Sequence, residues 1–97
     1  MSDPIPDHLE RTCNMLSKAF PAGIGEEEYY PLLALLYEHL TDRNLAEVIV
    51  IVTGKDSAAA HNDVHRSVTT NRPGQESLDL VIGKLMPHGY EAWLNEE

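Results

Sequence analysis

Apolar residues recur along this chain at the three- and four-residue spacings that are typical of amphipathic helices. The first series consists of Leu9, Cys13, Leu16 and Phe20. These side chains share one face of a helix, and Pro6 suits its first turn, where a missing backbone N–H costs nothing. The pattern predicts a first helix over residues 6–19.

Four later segments carry the same signal, and glycine, proline or a capping residue separates each from the next. The second segment has leucines on more than one stripe, so we expect it to be the central helix of the core. We predict an all-α fold, with residues 1–97 forming a single compact bundle of about five short helices. The four later helices are predicted near residues 28–40, 42–53, 58–70 and 76–86.

The run Val48–Val52 is the most ambiguous part of the pattern, because five consecutive valines and isoleucines suit a buried strand as well as a buried helix. A strand here would make the fold α+β. Thr41 is a good helix cap, and Gly54 is a good helix stop about twelve residues later. The flanking residues therefore favour a helix.

Most of the chain resembles a known family. The resemblance lies in the segments Tyr30–Leu36 (YPLLALL), Leu40–Asp42 and Ala46–Val48, and more weakly in Val64, Val68, Thr69, Pro73 and Leu85–Tyr90. These residues are similar to the pattern of a family of small actinobacterial proteins, the domain of unknown function 3349. The resemblance implies about five helices, with Val48–Val52 helical, and it implies no substrate, cofactor or catalytic residue. Cys13, His61 and His65 have no place in that pattern, so a function that used them would be peculiar to this protein.

The charge and cysteine content narrow the possible environments. Sixteen acidic against seven basic residues give a net charge of -9, which disfavours binding to nucleic acid or to anionic membranes. Cys13 is the only cysteine, so an internal disulfide is excluded, and no stretch reaches the roughly 18 apolar residues of a membrane span. We expect a cytoplasmic protein with no cofactor.

Two histidines form a candidate metal site. His61 and His65 are four residues apart, so both rings can face one ion from the predicted fourth helix. The catalytic glutamate of a metalloprotease helix is replaced by Asn62, and no third ligand follows from the spacing. Two solvent-exposed histidines are the simpler interpretation.

Two further motifs and the single cysteine have simpler interpretations than a functional site. Thr53–Lys55 follows an apolar run like a phosphate-binding loop, but the earlier glycine of that motif is absent, so Gly54 is better interpreted as a helix end. The third and fourth helices with the turn between them also fit a helix-turn-helix, but only Lys55, Arg66 and Arg72 are available to contact phosphates. Cys13 lies on an apolar stripe, where a thiol is an inert packing group.

Aromatic residues are the remaining candidates for function. Tyr29, Tyr90 and Trp93 are of the types that dominate protein interfaces when they are exposed, and otherwise they close the ends of a core. Because no catalytic set is present, the hypothesis is a non-enzymatic helical module that binds a protein partner. The alternatives are a helix-turn-helix regulator and a weak metal-binding protein. The sequence defines neither the partner nor the oligomeric state.

Overall fold

The helical pattern of the sequence corresponds to six α-helices. The computed structural model describes residues 7–96, and the side chains of residues 8–95. No β-strand occurs within these residues, so the all-α prediction is confirmed. The helices are α1 (Asp7–Ala19), α2 (Glu26–Tyr37), α3 (Asp42–Thr53), α4 (Ser57–Ser67), α5 (Gln75–Leu85) and α6 (Tyr90–Glu96), with a 3₁₀ turn at Met86–His88. The predicted start of the first helix at Pro6 lies outside the described residues.

Side-chain and glycine caps determine where the middle helices begin and end. The Thr41 hydroxyl accepts a hydrogen bond from the Asn44 N–H at 3.1 Å, which caps α3 as predicted. Gly54 ends α3 in the left-handed conformation, with φ at 77°, so its prediction as a helix end is also confirmed. The Asp56 carboxylate caps α4 through the Ala58 N–H at 2.9 Å.

The second and fourth helices differ most from their predicted bounds. Helix α2 begins at Glu26 rather than 28, because the Glu28 side chain accepts from the Gly25 N–H at 3.3 Å and completes a cap there. Pro31 therefore lies in the second turn rather than the first. Helix α4 ends at Ser67 rather than 70. The N–H groups of Val68 and Thr69 donate to carbonyls three residues earlier instead of four, as in a 3₁₀ turn.

The apolar run Val48–Val52 is helical. Val48 and Ile49 are fully buried, whereas Ile51 is 37% exposed. Adjacent buried residues followed by an exposed one fit the period of a helix and not the alternation of a strand. The helical prediction for this run is confirmed.

Helix α2 is the centre of the core, as its leucines predicted. It packs against α3, α4 and α5, and its side chains Leu32, Leu33 and Leu36 are fully buried. Helix α1 packs against α3 and α5. In the part of the chain that is described, no helix is both long and apolar enough to cross a membrane.

The helix α6 was not predicted from the sequence. Gly89, at a φ of 90°, turns the chain after the 3₁₀ segment, and α6 then returns to α1. The Trp93 indole N–H donates to the Thr12 hydroxyl at 2.8 Å, and the Tyr90 and Trp93 rings stack 6.0 Å apart. This short helix thus closes the end of the core.

Candidate functional site

A buried polar cluster joins α2 to α4 and to the loop before α4. Its centre is the carboxylate of Asp63, a residue that is only 9% exposed. The Tyr29 hydroxyl donates to Asp63 Oδ2 at 2.7 Å, and the Tyr30 hydroxyl donates to Oδ1 at 3.3 Å. Lys55 Nζ lies 3.1 Å from Oδ2 and 4.3 Å from the centre of the Tyr29 ring. We call these four residues the Asp63 cluster.

Opposing effects act on the ionisation of the Asp63 cluster. Burial raises the pKa of Asp63, but the hydrogen bonds from Tyr29, Lys55 and Tyr30 and the charge of Lys55 outweigh it, so the pKa is lowered overall. Burial and the hydrogen bond to Asp63 both raise the pKa of Tyr29. At neutral pH Asp63 is therefore a carboxylate that accepts a hydrogen bond from the neutral phenol of Tyr29.

The Asp63 cluster has the properties of a structural contact between helices rather than of an acid–base catalytic centre. Both carboxylate oxygens already accept hydrogen bonds from the protein. Lys55 is a basic residue that a phosphate-binding loop or a helix-turn-helix would use to contact phosphates. Its ammonium group forms an ion pair with Asp63 instead. Its ammonium group is thus bound within the fold, although its side chain remains 44% exposed.

A surface groove lies between the start of α2 and the outer face of α5. It has a volume of about 700 Å³, and it is lined by Gly25, Glu27, Glu28, Ser77, Leu80, Val81 and Lys84. Leu80 is 72% exposed, the largest value among the exposed large apolar side chains of the described residues. Val81 beside it is buried in the core. We call this feature the α2–α5 groove.

The α2–α5 groove combines an apolar side chain with acidic walls. Glu27 and Glu28 stand on the α2 side, and Glu28 forms an ion pair with Lys84 across the groove. Glu76 is one helical turn before Leu80 on α5 and is exposed. The Glu28–Lys84 pair is neutral overall, so Glu27 and Glu76 make the charge around Leu80 negative.

Comparison with known proteins identifies the family. A protein-family model described as "Protein of unknown function (DUF3349)" matches residues 7–93. The chain belongs to the DUF3349 family. The match extends from α1 to Trp93, so the family region includes the docked part of α6. Neither a curated protein nor a solved structure matches this DUF3349 protein.

The candidate metal ligands of the DUF3349 protein lie on the exposed side of α4. His61 Nδ1 is 2.9 Å from the Ser57 carbonyl oxygen, and both His61 and His65 are exposed. Asp63, the nearest carboxylate in sequence, points into the core instead. Within the described residues, no group of three histidine, cysteine or acidic side chains is placed to hold a metal ion.

The aromatic candidates and the cysteine of the DUF3349 protein lie in its core. Tyr29, Tyr90 and Trp93 are only 5–7% exposed, so they pack within the protein and leave little ring surface for a partner. Their role in binding stays a prediction that the packing does not favour. Cys13 is 1% exposed, as predicted for a packing group, and burial together with the charge of Glu47 raises its pKa.

Sequence reasoning about this DUF3349 protein missed both Leu80 and Asp63. Leu80 lies outside the stripe of Leu78, Val81 and Leu85, and a leucine that does not fit the buried face was the available signal. Asp63 lies next to Val64 on the buried face of α4, where an acid requires a partner. The identity of its partners depends on tertiary packing, which the spacing alone does not give.

Proposed function

We propose that this DUF3349 protein is a non-enzymatic interaction module, and that it binds a basic amphipathic helix of a protein partner in the α2–α5 groove. The exposed side chain of Leu80 carries the proposal. Burying such a side chain contributes about 1.5–3 kcal/mol. A leucine exposed within a groove is therefore a suitable centre for a small interface.

The charge around the groove supports a basic partner. Glu27 lines the groove, Glu76 lies one helical turn before Leu80 on α5, and the whole chain has a net charge of -9. Such a field favours the approach of a positively charged segment and disfavours an acidic one.

A non-enzymatic role is supported by the state of the reactive groups. The Asp63 carboxylate accepts hydrogen bonds from the protein at both oxygens, and the Cys13 thiol is buried. These two side chains are thus committed to the fold and are not placed for acid–base or nucleophilic chemistry. The proposal also places the protein in the cytoplasm, and the free, buried Cys13 supports a reducing compartment.

The test is an NMR titration of the ¹⁵N-labelled protein with a synthetic helical peptide that has leucines on one face and lysines on its flanks. We expect saturable shifts at the amides of Gly25, Leu80 and Lys84. Leu80→Ala should weaken binding by about tenfold, or 1.4 kcal/mol, through lost apolar burial, without lowering the melting temperature.

Two controls distinguish this binding from nonspecific association of the peptide with the protein. Ile51→Ala removes another exposed aliphatic side chain, on α3 and away from the groove, and should leave the affinity unchanged. A peptide with glutamate in place of lysine should not bind. Equal affinity for both peptides, an equal loss in the two variants, or shifts outside the groove would refute the proposal. Light scattering under the same conditions tests for a second copy of this chain as the occupant, which would also contradict it.

A further inference from the structure

An ion pair spans the α2–α5 groove and occupies one of its acidic side chains. Lys84 Nζ on α5 pairs with Glu28 Oε2 on α2. The other carboxylate oxygen, Glu28 Oε1, accepts a hydrogen bond from the Gly25 N–H at 3.3 Å. Each oxygen of the Glu28 carboxylate therefore already has a partner within the free protein.

The Glu28–Lys84 pair lies at the surface and not in the core. The Lys84 side chain is 52% exposed and the Glu28 side chain is 21% exposed, so water screens both charges. An exposed pair of this kind contributes little to stability, because its attraction is weakened by water and it restrains two long side chains. Lys84 Nζ also lies 5.6 Å from the centre of the Phe20 ring, within the range of a cation–π contact. The fold does not depend on the pair, and another cation can take the place of Lys84 at Glu28.

Lys84 and Leu80 are one helical turn apart on α5. Residues at this spacing lie on the same face of a helix, with their Cβ atoms roughly 5–6 Å apart, and both line the groove. A partner helix that lies along α5 and packs an apolar side chain on Leu80 therefore brings its own residues one turn away towards the Glu28–Lys84 pair. A basic residue at that position meets the carboxylate and the ammonium group together. It gains an ion pair with Glu28 only when Lys84 moves aside.

We propose that Lys84 is an intramolecular competitor in the α2–α5 groove. It holds Glu28 in the free protein, and it is displaced by a lysine or arginine that lies one helical turn from the partner's apolar residue on Leu80. This inference rests on the function proposed above and adds the charge pattern that the partner must have. A partner whose basic residues lie elsewhere leaves the pair intact and meets Lys84 as a like charge. Lys84 is thus a specificity-determining residue of the groove.

The test compares the Kd of a helical peptide, with leucine and lysine one turn apart, for the wild type, Lys84→Gln, Glu28→Gln and the double variant. Glutamine at position 28 keeps an oxygen for the Gly25 N–H, so the start of α2 is preserved. Lys84→Gln should tighten binding by about fivefold, or about 1 kcal/mol, because it frees Glu28 for the peptide. In the Glu28→Gln background the same change should have at most about a twofold effect, because only the screened repulsion between Lys84 and the peptide is removed.

Two controls accompany this comparison. Lys18→Gln changes the net charge equally at an exposed residue of α1 that does not line the groove, and it should leave the Kd within about twofold of the wild type. A peptide of the same composition, with its lysines moved to the face opposite the leucines, should bind the wild type more weakly. Its affinity should gain at most about twofold from Lys84→Gln, because its charges do not reach Glu28.

The ¹⁵Nζ resonance of Lys84 reports the displacement directly. Glu28→Gln gives the position of this resonance without the ion pair. The matched peptide should move the wild-type resonance towards that position, whereas the peptide with displaced lysines should leave it in place.

The outcomes separate this inference from the proposed function. Leu80-dependent binding of the matched peptide, combined with no gain from Lys84→Gln, would overturn the competition and leave the interaction module standing. An equal gain from Lys84→Gln with and without Glu28 would also overturn it, because net charge alone would then explain the effect. Absence of binding to both the wild type and Lys84→Gln would refute the proposed function, and this inference with it.

Discussion

At the scale of single residues, Asp63 shows how a charge can lie on the buried face of a helix. Three donors, from Tyr29, Tyr30 and Lys55, compensate for the hydration that its carboxylate loses on folding. Because the Lys55 side chain is 44% exposed, water screens the ion pair, and the two tyrosine hydrogen bonds have the larger share of the compensation.

We predict that Asp63→Asn lowers the free energy of unfolding by about 2 kcal/mol at pH 7, because a neutral amide accepts more weakly from Tyr29 and Lys55. The pKa of Asp63 is lowered in the folded protein, so its charge stabilises the fold above the ordinary aspartate pKa, and this stabilisation is lost as the pH falls through the folded value. Urea denaturation at pH 7 and at about pH 3 should show the difference between the two proteins shrinking in acid.

The control for this pH dependence is Tyr29→Phe, which removes one hydrogen bond from Asp63 and leaves the carboxylate in place. The Tyr29→Phe variant should lower the free energy of unfolding by about 1–2 kcal/mol at pH 7. An Asp63→Asn cost that stayed constant from neutral to acid pH would show that the charge of Asp63 contributes nothing to stability.

At the scale of the elements, two glycines show the difference between an exposed helix interior and a helix end. Gly83 lies inside α5, is exposed, and has no atom within 4 Å of the position that a Cβ would occupy. Gly54 ends α3 at a φ of 77°, where a side chain is strained even though space is available.

We expect Gly83→Ala to raise the free energy of unfolding by about 0.5–1 kcal/mol, because alanine restricts the unfolded chain and favours the helix. In a domain of this size, 1 kcal/mol corresponds to roughly 4–8 °C in melting temperature. Gly54→Ala is the matched comparison and should lower the stability by about 1 kcal/mol. Calorimetry of the two variants checks both signs, and a destabilising Gly83→Ala would contradict the open environment of this residue.

The elements also show which features the sequence predicts and which it does not. Helices were predictable where the signal is local, as with the cap at Thr41 and the left-handed stop at Gly54. The start of α2 was misplaced because Glu28 reaches back to Gly25, and Pro31 suggested a later first turn. The α2–α5 groove was not predictable, because it depends on how two helices meet and not on a pattern within either.

At the scale of the whole molecule, the bond between Thr12 and Trp93 joins the first and the last described helices. Both side chains are buried, with exposures of 1% and 5%. A buried indole N–H without an acceptor costs about 1–3 kcal/mol. The fold therefore depends on a polar contact between residues that are far apart in the sequence.

We predict that Thr12→Val lowers the free energy of unfolding by about 1–3 kcal/mol, because it keeps the shape of the side chain and removes the acceptor. Trp93→Phe removes the donor together with part of the ring, and should cost about 2 kcal/mol through the cavity that it leaves. The double variant should be more stable than the sum of the two losses predicts. Chemical denaturation of all four proteins gives the coupling, and strict additivity would show that the bond contributes no energy.

The docking of α6 also has a consequence for hydrogen exchange. A helix of seven residues is too short to be stable alone in water, so its amides are protected only while it stays packed against α1. Its amides should therefore exchange with solvent through the same opening that releases Trp93 from Thr12, and not one by one from a fraying end. In this respect the first and last described helices form one cooperative unit, although the rest of the chain separates them in sequence.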